Sequence, residues 1–236
     1  MTHRLRRLAP VLSAVAVLFL IAAGPGTRFG LWHFRTGFQL LRWGAYLGIA
    51  GAGLGLVSLL WRPSGSRLWR PLLAIALGAI ATAVPWRWME QARRVPPIHD
   101  ITTDTERPPT FVAVLPLRAE ASNPAAYGGE AIAAQQRSGY PDIAPLRLEQ
   151  PPAAAFARAL AAAREMGWEI VAADSAAGRI EATATTAWFG FKDDVVVRVA
   201  AEGSGSRVDV RSVSRVGLSD VGANAERIRD YLARLR

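Results

Sequence analysis

The residues that could carry acid–base or metal chemistry fall in two short clusters. His99 is the only histidine after His33, so a histidine-based site in the C-terminal half must use it. With neighbouring carboxylates it could hold a hard cation, because such ions prefer several oxygen ligands. The alternative is that these aspartates cap turns. The candidate polar or cation cluster is His99, Asp100, Asp104, Asp193 and Asp194.

Nothing in the sequence brings residues 99–104 and 193–194 together, and no metal motif is complete, so we expect no metal and no cofactor. The absence of cysteine excludes disulfides, thiolate metal sites and a cysteine nucleophile. Serine hydrolysis is disfavoured as well, because there is no G-x-S-x-G motif and Gly203-Ser-Gly-Ser206 predicts a hairpin tip. We therefore lean against an enzyme.

A second group of polar residues lies at the end of the last predicted strand. Arg207, Arg211 and Arg215 are spaced four residues apart along the strand, so their side chains should share one face. A glycine- and hydroxyl-rich turn then leads into a helix, and backbone N–H groups at a helix start favour anions. The candidate ligand-binding residues are Arg211, Ser212, Ser214, Arg215, Ser219, Asp220 and Asn224.

This second group also has a purely structural interpretation. The turn residues would cap the final helix, and the strand arginines would form cross-strand pairs, such as Arg211 with Glu181. Both interpretations predict the same local secondary structure.

The elements that position these residues follow from periodicity. Apolar residues at helical spacing predict helices at 153–166 and 224–236, with a short helix at 131–136. Alternating patterns with glycine-rich turns predict two hairpins, formed by residues 168–173 with 179–186 and 195–202 with 207–216. The order helix, four antiparallel strands, helix predicts an α+β domain with helices on one sheet face and the other face partly wet.

The first 89 residues have the composition of a membrane region. They contain ten arginines and no acidic residue, whereas residues 90–236 are nearly neutral. Three uncharged stretches, 8–23, 43–61 and 71–86, predict transmembrane helices, the outer two being short for a bilayer. The tryptophans near their ends are typical of a membrane interface: Trp32, Trp43, Trp61, Trp69, Trp86 and Trp88.

Two details of this region bear on its structure. The first stretch follows Arg4, Arg6 and Arg7 and also fits a cleavable signal peptide, but two more spans follow, so we favour a retained helix. In the second stretch, small residues recur four positions apart, which favours close helix packing. These residues are Gly44, Gly48, Gly51 and Gly55.

The basic surplus predicts a lipid bilayer rather than nucleic acid as the partner, because it belongs entirely to the apolar region. Six arginines fall on each side of the three spans. We place the N-terminus in the cytoplasm because the charges on that side are concentrated near the first span and in a short loop. One side holds Arg4, Arg6, Arg7, Arg62, Arg67 and Arg70, and the other Arg28, Arg35, Arg42, Arg87, Arg93 and Arg94.

The predicted organisation is therefore a membrane region at 1–89, a proline-rich linker at 90–110 and a soluble α+β domain at 111–236. The predicted location is the bacterial inner (cytoplasmic) membrane, with the soluble domain in the periplasm.

Several segments of the C-terminal part resemble the domain-of-unknown-function 1499 family, over about residues 96–236. They are Ile98-His-Asp-Ile-Thr-Thr-Asp104, Tyr140-Pro-Asp-Ile143, Gly178-Arg-Ile-Glu-Ala-Thr-Ala184, Phe189-Gly-Phe-Lys-Asp-Asp194 and Arg211-Ser-Val-Ser-Arg-Val-Gly-Leu-Ser-Asp-Val-Gly-Ala-Asn224. The resemblance implies a bacterial or plastid-associated domain, often attached to membrane spans, with no agreed catalytic activity.

Three functional hypotheses follow. The first is a non-enzymatic binding or scaffolding module of the cell envelope. The second is a lipid- or anion-binding protein that uses residues 211–224 to contact an anionic lipid headgroup or an acidic envelope protein. The third is a hydrolase-like or metal-dependent enzyme that uses His99 and nearby carboxylates.

Overall fold

A computed structural model describes residues 2–61 and 67–236. Arg62 lies outside the described residues, as do the side chains of Arg4 and Arg6, so the charge counts that use them stay sequence arguments. The chain forms two compact units. One comprises Met1–Gln91 and Ala187–Gly190, and the other comprises Ala92–Thr186 and Phe191–Arg236.

The first unit contains three long helices, α1 (Thr2–Arg28), α2 (Phe34–Leu60) and α3 (Trp69–Arg94). Each is long and apolar enough to cross a membrane, with peak mean hydropathies of 2.2, 1.6 and 1.5. All three helices are longer than the uncharged stretches predicted from the sequence, because the arginines at their ends continue the helix. Arginine side chains at such positions can extend towards a polar interface. A helix of 26 or 27 residues spans about 40 Å, which exceeds the roughly 30 Å of a bilayer's hydrocarbon core.

The glycines of α2 line its contacts with both neighbouring helices. A β-carbon at Gly51 would lie 2.2 Å from Ser13 Oγ of α1, and one at Gly48 would lie 2.8 Å from the Gly78 carbonyl of α3. Ser13 Oγ also donates a hydrogen bond to the Ala74 carbonyl of α3 (2.7 Å). The glycine spacing therefore places close backbone contacts on two faces of α2, as expected for small residues in a membrane bundle.

The second unit is an α+β domain built on one antiparallel sheet, which confirms the predicted fold class. The strands run in the order β1-β6-β5-β4-β3, and β2 also pairs with β6. The elements are β1 (Asp100–Thr102), a 3-10 turn (Leu115–Arg118), α4 (Glu130–Gly139), β2 (Leu146–Leu148), α5 (Pro152–Glu165), β3 (Glu169–Asp174), β4 (Arg179–Thr185), β5 (Lys192–Glu202), β6 (Gly205–Ser214) and α6 (Ala223–Arg234).

The two hairpins and the last two helices lie close to their predicted positions, whereas β1 and β2 were not predicted. Each of these extra strands has only three residues, which is too short for an alternating pattern to be recognised. β1 falls within the stretch that the sequence predicted to be a linker. The β3–β4 turn requires Gly178, whose φ is +61° and whose β-carbon would lie 2.1 Å from the Val199 carbonyl.

The two sheet faces are covered differently. Helices α5 and α6 pack on one face over an apolar core, in which Trp168 stacks on Tyr231 with ring centroids 4.9 Å apart. The irregular segment 103–129 covers the other face, where Phe111 and Val114 pack on strand residues. The second face was expected to be partly exposed to solvent, but the cover buries the polar side chains at the centre of this face.

Candidate functional site

The face under segment 103–129, here called the polar face, collects most of the charged residues singled out by the sequence. On β6 it carries Arg207, Asp209 and Arg211, and Arg215 continues the predicted alternation one residue past the end of the strand. Carboxylates on the same face come from the other strands, namely Asp194 on β5, Glu181 on β4 and Asp100 on β1. The polar face is therefore a layer of charged groups enclosed between the sheet and its cover.

Arg211 lies at the centre of this layer and is 1% exposed. Its Nε and Nη2 donate to the two oxygens of Asp100 at 2.9 and 2.7 Å, which is a bidentate ion pair. Its remaining donors bond the carbonyls of Pro109 and Ala125, and the rings of Phe111 and Tyr127 flank the guanidinium. The partner of Arg211 is thus Asp100 on β1 rather than the expected Glu181.

Arg215 forms a second bidentate pair, with Asp194 at 2.8 and 2.9 Å. Asp194 also accepts hydrogen bonds from Arg118 (2.6 Å) and Thr183 (2.7 Å). Burial raises the pKa of the Asp194 carboxyl, but the hydrogen bonds from Arg215, Thr183 and Arg118 outweigh it and hold the pKa below its usual range. Asp194 is therefore an ionised carboxylate shared by two guanidinium groups.

A third cluster joins Arg198 and Arg207 to Asp104 and Asp209. Asp104 Oδ2 lies 3.1 Å from Arg198 Nη2 and 2.8 Å from Arg207 Nη2, and both arginines also bond Asp209. Burial raises the pKa of Asp104, but the Arg107 and Glu106 amides together with the two arginines lower it overall. In this cluster two carboxylates are balanced by two cations.

These pairs fasten the cover segment to the sheet. Glu181 on β4 accepts hydrogen bonds from the Val112 and Val114 amides at 2.9 and 3.0 Å, while its other oxygen bonds Arg179. Arg118 of the cover bonds Asp194 on β5, and Asp104 of the cover bonds Arg207 on β6. The arrangement therefore holds an irregular chain in one conformation by means of buried charge.

The remaining residues of the predicted ligand set lie on the opposite, helix-covered face. Ser212 Oγ donates to Asn224 Oδ1 (2.6 Å), and Asn224 Nδ2 donates to Ser214 Oγ and to the His99 carbonyl (both 3.0 Å). The predicted set is therefore split, because Ser212 and Ser214 alternate with Arg211 and Arg215 along β6.

The loop before α6 provides the cap that the sequence suggested. Asp220 accepts hydrogen bonds from the amides of Gly222 (2.9 Å) and Asn224 (2.6 Å), and Ser219 Oγ accepts one from Val221 (3.1 Å). Burial raises the pKa of the Asp220 carboxyl, and these amide bonds only partly offset it. In the first turn of α6, the Asn224 amide thus bonds the Asp220 side chain, and the Ala223 amide bonds the Asp220 carbonyl (3.1 Å).

The predicted cation cluster is divided in the same way. Asp193 faces the helices, where its Oδ2 lies 2.6 Å from Arg227 Nη2, whereas Asp194 faces the cover. His99 Nδ1 lies 3.4 Å from the Leu218 carbonyl. Within the part of the chain that the structure describes, no three His, Asp or Glu side chains converge as a metal site would require.

Several residues of these networks were missed by the sequence argument, notably Arg118, Arg227 and Asn123, whose carbonyl accepts a hydrogen bond from Arg118 (3.0 Å). Arg118 and Asn123 lie in a stretch without periodicity, so the sequence carries no signal for them. Arg227 could have been noticed, since it lies one helical turn after Asn224 on α6.

Comparison with known proteins assigns the chain to a family. A family model described as "Protein of unknown function (DUF1499)" matches residues 100–235, which is more than half of the chain and nearly all of the α+β unit. No curated protein matches the chain.

Proposed function

The chain belongs to the DUF1499 family of proteins of unknown function, and we propose that it acts as a non-enzymatic binding or scaffolding module of the bacterial cell envelope. In this proposal the three apolar helices anchor it in the cytoplasmic membrane, and the α+β unit lies on the periplasmic side. The unit there presents its outer surface to another envelope component.

The observation that carries the proposal is the pairing of the charged groups on the polar face. Arg211, Arg215 and Arg198 each bond a carboxylate of the same chain, and so do Arg118 and Arg207. In this proposal the buried ion pairs hold the cover on the sheet in one arrangement, whereas a substrate site would offer charged groups that the protein's own side chains do not already neutralise. The polar face therefore supports a rigid platform whose exposed loops are free for recognition.

The anion-binding alternative makes a different demand on the same residues. It requires Arg211 and Arg215 to leave Asp100 and Asp194 and to turn towards a phosphate or carboxylate from outside. Breaking a buried pair costs about 3–5 kcal/mol, which an external anion would have to replace. The pairing therefore favours the binding-module proposal over this alternative.

The location can be tested with single cysteines, because the chain has none of its own. Ser204 lies exposed at the tip of the β5–β6 hairpin, so Ser204→Cys offers a reporter on the α+β unit. We expect a membrane-impermeant maleimide to label it in intact spheroplasts. Labelling only after lysis would contradict the periplasmic placement.

Binding can be tested by photo-crosslinking in living cells, with the reactive amino acid placed singly at exposed positions around the unit, such as Gln135, Arg147, Ser204 and Glu226. A binding module should give an adduct of one defined mass from neighbouring positions and none from the opposite surface. Uniformly weak adducts from every position, or none at all, would contradict the proposal.

A further inference from the structure

The exposed apolar side chains of the α+β unit are confined to two segments. Residues 92–236 are all described, and their exposed large hydrophobic residues are Val112, Leu115, Leu117, Leu218 and Val221. Leu218 is 85% exposed, the highest value among them. Val112 lies over β4, where its amide bonds Glu181, and we call the other four residues, Leu115, Leu117, Leu218 and Val221, the apolar patch. Apolar groups gathered in this way are typical of surfaces that contact a protein or a membrane.

The two segments of the apolar patch meet at one end of the sheet, where Arg118 and Asn123, which follow Leu117 in the cover, donate hydrogen bonds to the end of β6. Asn123 Nδ2 donates to the carbonyls of Gly217 (2.9 Å) and Ser214 (3.0 Å), and the Asn123 amide donates to the Arg215 carbonyl (3.1 Å). Arg118, which follows Leu117, donates to the Val213 carbonyl (3.3 Å). The apolar patch therefore lies where β6 ends.

The loop that carries Leu218 and Val221 is held in an unfavourable conformation. Val221 has a φ of +56°, and it is the one residue other than glycine with a positive φ among those described. A β-branched residue is strained in this region. The strain is sustained by the bonds from the Val221, Gly222 and Asn224 amides to Ser219 and Asp220, which fix the loop with Leu218 pointing outward.

The chain enters the unit at the same end. The Asp220 amide donates to the Ile98 carbonyl (3.2 Å), and the Ser214 amide donates to the His99 carbonyl (3.0 Å). Only five residues separate the end of α3 at Arg94 from the start of β1 at Asp100. An extended connection of that length reaches about 20 Å, so the start of β1 stays within about that distance of the end of α3.

We propose that the apolar patch inserts into the interfacial layer of the bilayer, so that the α+β unit is docked on the membrane by its own loops. The contact is with the boundary between headgroups and acyl chains, and it is driven by apolar burial rather than by anionic headgroups. This goes beyond the proposed function, since it requires only that the three helices span a bilayer and does not depend on any partner.

The experiment uses the full-length protein, purified and reconstituted in vesicles of phosphatidylcholine and phosphatidylglycerol, so that the membrane surface carries anionic headgroups. Leu218→Cys is labelled with the environment-sensitive fluorophore NBD, and Ser204→Cys, at the opposite end of β6, is the matched control. We expect a blue-shifted NBD emission at position 218 that doxyl-labelled lipids quench, and a water-like, unquenched emission at position 204. Raising the salt concentration should not change the quenching.

A second labelled variant removes the dependence on one position. With NBD at Leu115→Cys, the substitutions Leu218→Ser and Val221→Ser together should shift the docking equilibrium towards the undocked state by at least about tenfold, since each side chain loses its apolar burial. Both positions lie on an exposed loop, so we expect this variant to fold. Circular dichroism equal to that of the parent protein is the check.

Three results would overturn the proposal. Water-like emission at position 218 would place the loop in solvent. A blue shift without quenching by doxyl lipid would indicate that protein covers the loop instead. Quenching that falls with salt would indicate an anionic headgroup contact. None of them affects the binding-module proposal, because the purified protein contains no partner; conversely, failure of the crosslinking in cells would leave the quenching unchanged.

Discussion

Arg211 shows how a charged side chain can be a structural element rather than a site. Its guanidinium is enclosed by Asp100, two carbonyls and two aromatic rings, so water has no access to it. An unpaired charge in such a place is very costly, whereas the complete pair is tolerated. The two residues therefore stabilise the unit only as a pair.

We expect Arg211→Met to lower the stability of the α+β unit by about 3–5 kcal/mol, because Asp100 would remain buried and unpaired. The measurement is hydrogen exchange of the β5 and β6 amides in the full-length protein in detergent. Adding Asp100→Leu to this variant should restore part of the loss.

The matched control is Arg229→Ala. Its partner is Asp142, and both side chains are about half exposed, so the change in stability should stay within about 1 kcal/mol. Equal effects of Arg211→Met and Arg229→Ala would contradict the role assigned to the buried pair.

The pKa shifts predict a loss of stability in acid. The pKa values of Asp104 and Asp194 lie below 3.8 in the folded unit, so their contribution is complete above about pH 4 and is lost as the pH falls through the folded values. Asp220 acts in the opposite direction, because its raised pKa gives a contribution that is lost as the pH rises through its folded value.

We therefore expect protection of the β6 amides to fall as the pH is lowered below about 4, and to fall less in Asp104→Asn, which removes one of the titrating groups. The measurement is hydrogen exchange at a series of pH values, corrected for the intrinsic exchange rate. Protection that increases on acidification, or an identical slope in the variant, would show that Asp104 is not a source of the pH dependence.

At the scale of elements, the glycines of α2 illustrate packing without a hydrophobic driving force. In a bilayer, helices associate through close van der Waals contact, and small residues permit it. Gly51 faces Ser13 on α1, whereas Gly53 has no atom within 4 Å of its β-carbon position. Two glycines on the same helix, two residues apart, thus have different surroundings.

This difference predicts opposite outcomes for the same substitution. Gly51→Ala should lower the free energy of unfolding of the helical unit by about 1–3 kcal/mol, because the added carbon overlaps Ser13 Oγ. The measurement is thermal unfolding in detergent. Gly53→Ala should leave stability unchanged or raise it slightly, since alanine is the better helix former. A similar loss in both variants would mean that helix flexibility, and not packing, explains these glycines.

At the scale of the whole molecule, the first helix is an integral part of the membrane unit. α1 continues through Gly24 to Arg28, beyond the small residues that would suit a signal-peptidase site. Cleavage there would remove the partners of Gly44 and Gly51, namely Ala16 and Ser13.

We therefore expect the protein isolated from cells to retain α1. Peptide mapping of the purified protein by mass spectrometry should recover peptides that contain residues 8–23 of α1. Loss of these peptides together with a new N-terminus near Gly24 would show that the segment is a signal peptide and that the protein has two spans.

The sequence alone determined much of the architecture. Residues such as Phe156 and Leu160 on α5 and Ile180 and Ala182 on β4 repeat with the periods of helix and strand, and their periodicity survives any tertiary context. The membrane helices were predicted for the same reason, because an uncharged run of sufficient length has few alternatives to a bilayer.

The pairing of the buried charged residues was decided only by the tertiary structure. Arg211 and Asp100 are 111 positions apart and Arg118 and Asp194 are 76, and no local pattern encodes contacts across such distances. Asp193 and Asp194 are neighbours in sequence, yet strand alternation sends them to opposite faces and to different arginines. Local periodicity is a property of the backbone, whereas the partner of a buried charge depends on which segments the fold brings over it.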